Sequence, residues 1–200
     1  MRIVLVLIGV LLAVSACARE KEPVVVPEVP QFSTAAPPSG GAAAGRPVPK
    51  TCGDVVPSED IDTIVGTVTG DARPVVGVPQ PGIGRTARLD CYYGLSGNRP
   101  VSAATVWIGL ATYTDRKHAQ DRLTNTVSTE RDAGSQINEV PVGGGDGVLM
   151  RGKTWMLVAT RGRTTVVVAV QRSLVREDRA GAILGQLADK ALTPPASTGG

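Results

Sequence analysis

The sequence predicts an α+β domain: a mainly antiparallel sheet packed by helices on one face, a two-layer sandwich closed by one disulfide. Three observations carry this. Residues 87–95 and 155–171 alternate apolar and polar side chains with a period of two, as half-buried strands do. Residues 58–65, 114–127 and 174–192 repeat apolar side chains every three or four positions, the pattern of helices laid on a sheet. Successive strands join through short glycine turns instead of alternating with helices, which argues against a parallel doubly wound sheet.

Taken in order, the chain opens with Met1 and Arg2, a minimal positive start, and an uncharged apolar run over 3–12. This is the build of a secretory signal peptide. The uncharged stretch ends at Arg19, short of the roughly 20 apolar residues that a membrane-spanning helix needs. Val14, Ser15, Ala16 and Cys17 follow, and small residues directly before a cysteine resemble the bacterial lipoprotein signal. That resemblance implies cleavage after Ala16, diacylglycerol on Cys17, and often an acyl chain such as palmitate on the new amino group. Two or more chains on one residue meet the two-signal requirement for stable anchoring.

The expected organisation is a signal peptide over 1–16, a lipidated tether over 17–50, the α+β domain over 51–192 and a disordered tail over 193–200. The tether assignment rests on Pro23, Pro27, Pro30, Pro37, Pro38, Pro47 and Pro49 with small residues between them, a composition that fits no packed element. Subtracting Cys17 from three cysteines leaves Cys52 and Cys91, and an even pair outside the cytoplasm reads as a disulfide. The competing reading, two free thiols or half of a metal site, lacks partners because His118 is the one histidine.

Cys52 opens the domain, and Ser58 caps a short helix carrying Ile61, Ile64 and Val65 and stopped by Gly66. The prolines and glycines of 67–84 suit an edge strand around 75–78 and then a loop. In the next strand Ala87, Leu89, Cys91, Tyr93 and Leu95 face one way, and Arg88, Asp90 and Tyr92 the other. Cys91 is on the apolar face, so the disulfide would tie the chain entry to the sheet. A strand over 101–112 puts Ala104, Val106, Ile108 and Leu110 on one side, with Thr105, Trp107 and Tyr113 on the other. Trp107 and Tyr113 are candidates for a ligand-facing surface; the alternative is that they pack under a helix.

The helix starting at Thr114 has Asp115 in its first turn and a narrow stripe of Ala119, Leu123 and Val127. His118 lies beside that stripe and reads as a solvated helix histidine. The loop Gly143, Gly144, Gly145, Asp146, Gly147 could in principle cradle phosphate, but it lacks the Gly-Lys-Ser/Thr ending and precedes a strand, so a turn explains it. Strands over 148–151, 155–160 and 164–171 follow. A two-residue turn at Gly162 puts Trp155, Leu157 and Ala159 on the face of Val166, Val168 and Val170. The last helix presents Ile183, Leu184, Leu187 and Leu192.

Lipobox Cys17, a proline-rich tether, Cys52 before a short capped helix, Cys91 followed by Tyr92 and Tyr93, and a terminal hairpin plus helix resemble a known layout. It is that of small actinobacterial, mycobacterial-type lipoproteins with a two-cysteine domain of unknown function. The layout is also similar to extracellular sensor domains of mycobacterial serine/threonine kinases and to Mog1/PsbP-like lipoproteins. Many of these relatives carry Trp after the second cysteine where this chain has Tyr92 and Tyr93. The resemblance implies a noncatalytic envelope domain at the outer face of the cytoplasmic membrane and supplies no active-site residues.

The residues point the same way. The 21 basic and 18 acidic residues are spread along the chain, without the footprint of nucleic-acid binding. Aromatics are 3%, too few for stacking platforms on sugars or bases. No nucleophile elbow or Ser-x-x-Lys set with its partner motifs is present, and carboxylate pairs such as Asp60 with Asp62, or Glu177 with Asp178, fall in first turns of helices. The expected function is a lipid-anchored binding or interaction module, neither enzyme nor cofactor or metal protein, with an envelope protein as partner. The alternative is a carrier of a lipid or other apolar ligand, using Trp107 and Trp155.

Overall fold

The computed structural model describes residues 45–66, 68 and 70–194. The signal peptide, Cys17, most of the tether and most of the tail lie outside the described residues. Within them two short helices, α1 (Cys52–Val55) and α2 (Ser58–Val65), precede three strands, β1 (Asp71–Gly77), β2 (Arg85–Leu95) and β3 (Val106–Tyr113). Helix α3 (Arg116–Asp132) leads to a second run of strands, β4 (Gln136–Val142), β5 (Gly145–Arg151), β6 (Trp155–Arg161) and β7 (Thr164–Val170). Helix α4 (Glu177–Leu192) closes the fold.

All seven strands form one antiparallel sheet in the order β1-β2-β3-β7-β6-β5-β4. The α+β class, the antiparallel sheet and the disulfide are as the sequence predicts. So is the β6–β7 hairpin, whose register sets Trp155 opposite Val170, Leu157 opposite Val168 and Ala159 opposite Val166. Gly162 makes its turn at φ +61°. The glycine loop at 143–144 is likewise a two-residue hairpin turn, between Val142 and its register partner Gly145.

One face of the sheet carries the main core, with the edge strand β1 left exposed on it at Pro74 and Val76. Leu89, Cys91, Tyr93, Ile108, Leu110, Leu157 and Val168 form the main core with Ile183, Leu184 and Leu187 of α4 and with Val55 and Ile61 from the first two helices. Gly185 lets α4 sit close: a Cβ there would lie 2.6 Å from the Pro141 carbonyl oxygen. The helices are not confined to this face. Helix α3 crosses the opposite one, burying Ala119, Leu123 and Val127 against β3, β5, β6 and β7. The physical reason is that Met150 and Val158 point away from the main core and are still sealed, so both faces of these strands need a cover.

The domain also begins earlier than position 51. Arg46, expected in the tether, is 5% exposed. Its guanidinium donates to the carbonyls of Ala191 (2.6 Å) and Thr193 (3.1 Å) at the end of α4, and to those of Asp54 and Val55 (3.4 Å) at the end of α1. These are carbonyls that helix ends leave without intrahelical partners, and the negative ends of the helix dipoles favour a cation there. Burial lowers the Arg46 pKa, and the Asp54 charge opposes that shift. Thr164 Oγ donates to the Arg46 carbonyl at 2.6 Å, so the chain entry is held from both sides.

The Cys52–Cys91 disulfide spans 39 positions with Cα atoms 5.5 Å apart and joins α1 to β2. In the chain-entropy picture it contributes on the order of 3–4 kcal/mol. Beside it the Tyr93 hydroxyl donates to the carbonyls of Val56 (2.9 Å) and Cys52 (3.3 Å), and burial pushes its pKa well above the ordinary tyrosine value.

Replacing Arg46 by Ala strands carbonyls at two helix ends and is expected to cost about 2–4 kcal/mol in urea unfolding. Tyr93→Phe is expected to cost about 1 kcal/mol near neutral pH. The buried hydroxyl keeps its proton where the unfolded chain releases one, so the stability it contributes is intact below pH of about 10 and falls as pH rises further. Tyr93→Phe should flatten that alkaline loss in unfolding curves measured across the range.

Candidate binding groove

Because α3 runs from the end of β3 to the far edge strand β4, it covers the β5–β7 side of its face and leaves the β2–β3 side open. The open part is a groove in two compartments that share Trp107 and Met156 as a common wall. The first, about 220 Å³, lies beside α3 and is lined by Arg88, Gly109, Tyr113, Arg122, Glu130 and Thr165 among others. The second, about 260 Å³, is lined mainly by apolar atoms of Tyr92, Val101, Ala104, Ala169 and Val170, with Thr154 and Gln171 at its margin.

Strand parity puts the side chains there. Tyr92 and Trp107 are opposite one another in the β2–β3 register, and their rings stack with centroids 6.2 Å apart and planes 13° from parallel. The indole N–H donates to Asp90 Oδ1 at 3.0 Å, and Arg88 grips the same carboxylate through Nε (2.6 Å) and Nη2 (2.9 Å). That bidentate pair raises the Arg88 pKa against the opposing effect of burial. Burial and the Asp90 charge raise the Tyr92 pKa. Gly109 faces Asp90 across the ladder, and a Cβ there would lie 2.6 Å from Asp90 Oδ1 and 3.2 Å from the Trp107 ring. The carboxylate and the indole fit because that side chain is missing.

Of the candidates read from sequence, Trp107 and Tyr113 both line the first compartment, Tyr113 at its buried end against Ala119. Trp155 is not with them. It projects from the other face into the main core, 2% exposed, with its indole N–H on the Val175 carbonyl (2.9 Å) and the Arg172 guanidinium 4.2 Å over its ring. Cys52 and Cys91 are bonded to one another, away from the groove. His118 is bonded to Asp115 (2.8 Å) and Thr114 (3.1 Å) at the start of α3. Asp60 pairs with Lys190, Glu177 with Arg151 and Asp178 with Arg176, so these carboxylates serve as ion-pair partners.

Sequence reasoning missed Arg122 and Met156. Arg122 is one position before Leu123 of the apolar stripe, and Met156 alternates with Trp155 and Leu157; each signal is parity alone, which a charged or a flexible apolar residue does not advertise. Among the described residues no group of three His, Cys, Asp or Glu side chains could hold a metal ion, and no helix is long and apolar enough to cross a membrane.

Gly109→Ala is expected to break the Trp107–Asp90 bond and cost about 1–3 kcal/mol. Trp107 fluorescence should then become more accessible to iodide while the buried Trp155 component does not change.

Neither known family descriptions nor curated protein sequences match this chain. Among solved structures, the crystal structure of the extracellular domain of PknH from Mycobacterium tuberculosis is similar, with a TM-score of 0.45 and 12% identity, over 67% of this chain and 90% of that one.

Proposed function

We propose that this chain is a lipid-anchored envelope lipoprotein at the outer face of the cytoplasmic membrane, a noncatalytic module that binds its partner through the groove beside α3. The observation that carries the reading is the half-covered sheet face. A fold that packs three helices over the core of its other face leaves stacked Tyr92 and Trp107 at an open groove. The disulfide fits an oxidising compartment, and the Ser15-Ala16-Cys17 sequence fits acylation at Cys17. Groove carboxylates already have partners, Asp90 in Arg88 and Trp107, Glu130 in Ser135, which suits binding better than proton transfer.

The second reading, a carrier of an apolar ligand, is favoured by the apolar lining of the second compartment. Its roughly 260 Å³ suits a segment of a lipid chain more than a whole lipid.

A photoreactive side chain at Thr154 in the groove should capture an envelope protein in intact cells, and one at Gln186, exposed on α4, should not. Cys17→Ala should abolish labelled palmitate incorporation and membrane partition and weaken the capture. Equal capture from both positions would sink the groove as the binding surface. Retained lipid in native mass spectra, without a protein adduct, would move the carrier reading to first place.

A further inference from the structure

The first compartment carries polar groups that the fold itself does not use. Tyr113 is 1% and Thr165 3% exposed, and neither hydroxyl makes a hydrogen bond among the described residues. Neither is sealed: among the described residues the buried side-chain atoms without a partner are Arg85 Nε and Arg151 Nε. The small exposed areas of Tyr113 and Thr165 therefore include their hydroxyls, and both residues line this compartment. A buried hydroxyl without an internal partner is costly unless water or a ligand meets it.

Charge narrows what meets it. Arg88 is neutralised by Asp90, whose remaining donor is the Trp107 indole. Arg122 lines the compartment, half-buried; its carbonyl accepts from Thr126 Oγ1 at 2.9 Å, and its guanidinium has no hydrogen-bond or ion-pair partner among the described residues. Glu130 accepts from Ser135 Oγ at 3.0 Å and is two turns farther along α3, about 12 Å along its axis. The compartment thus offers, beside the Ser135-bonded Glu130 carboxylate, one guanidinium without an ion-pair partner, two hydroxyls, and the apolar wall of Trp107 and Met156. A flat ring suits that wall, since an indole stacks on it and a thioether packs against it.

We propose that the compartment under α3 binds a small organic acid. Arg122 pairs with its carboxylate, the hydroxyls of Tyr113 and Thr165 donate to it, and its apolar body lies along Trp107 and Met156 toward the second compartment. This rests on the groove reading above and specifies its ligand.

The chain has three methionines, Met1, Met150 and Met156. Met156 lines both compartments, and Met150 is sealed under α3 outside either lining. The full-length protein, methyl-labelled at methionine and held in lipid nanodiscs, is titrated by NMR with phenylacetate, its neutral amide phenylacetamide and inorganic phosphate. Phenylacetate should shift Met156 saturably with Met150 unmoved, and phenylacetamide should bind at least about tenfold more weakly. Arg122→Gln should erase the acid–amide difference, its unshifted Met150 signal reporting an intact fold.

Equal binding of acid and amide, or an unaffected Arg122→Gln, would overturn the organic-acid assignment and leave the groove as a binding site. Phosphate shifting Met156 as strongly as phenylacetate would also overturn it, in favour of a simple anion site. No Met156 shift with any probe overturns the organic-acid site, and the Thr154 capture then decides whether the groove reading falls with it.

Discussion

Everything in this fold depends on one non-local strand pairing. The chain makes two antiparallel meanders, β1–β3 and β4–β7, and the ladder between β3 and β7 joins them, with Ile108 opposite Val168 and Leu110 opposite Val166. Because β7 takes the place beside β3, the chain leaving β3 must cross β7, β6 and β5 before it pairs again at the far edge. Helix α3 is that crossing. Its path closes one side of its face and leaves the other open, so the groove follows from strand order before any side chain is considered.

Side chains then decide what kind of groove it is. On the main-core face, branched and aromatic residues fill the space under α4 and the two short helices. On the other, Gly109 and Ala111 keep the floor low, Asp90 sits with its charge answered, and Trp107 is held at a fixed angle by a carboxylate that is itself fixed by Arg88. A buried carboxylate is tolerable because it is bidentately paired and hydrogen-bonded. The arrangement orients an aromatic wall without filling the space in front of it.

Much of this was legible in the sequence, for reasons that can be named. The alternation of β2, the parity of the β6–β7 hairpin and the stripe of α3 are local patterns, and the cysteine pair needed only the compartment. Strand β4 was not legible: as an edge strand it is largely exposed, and Gln136, Asn138 and Glu139 blur its alternation. The placement of α3 could have been read from the apolar residues on both sides of 148–150 and 156–158, which exceed what one covered face requires. Arg46 could not. An arginine among prolines and glycines has the local look of a solvated linker, and the carbonyls that bury it belong partly to a helix 145 positions away. Trp155 and Trp107 look alike as aromatic strand residues, and the pairing of whole strands is what separates core from groove.

The hold on Arg46 also makes a mechanical statement. Arg46 stands ahead of α1 and the disulfide, so tension applied along the chain at this residue meets the guanidinium fork and the Thr164 bond first. Those contacts belong to the ends of α1 and α4 and to β7. Behind them the Cys52–Cys91 bond transfers the remaining load covalently to β2, on the opposite side of the β3–β7 ladder from the β7 contact. Tension at Arg46 is therefore divided between both meanders, loading the central ladder rather than peeling an edge strand.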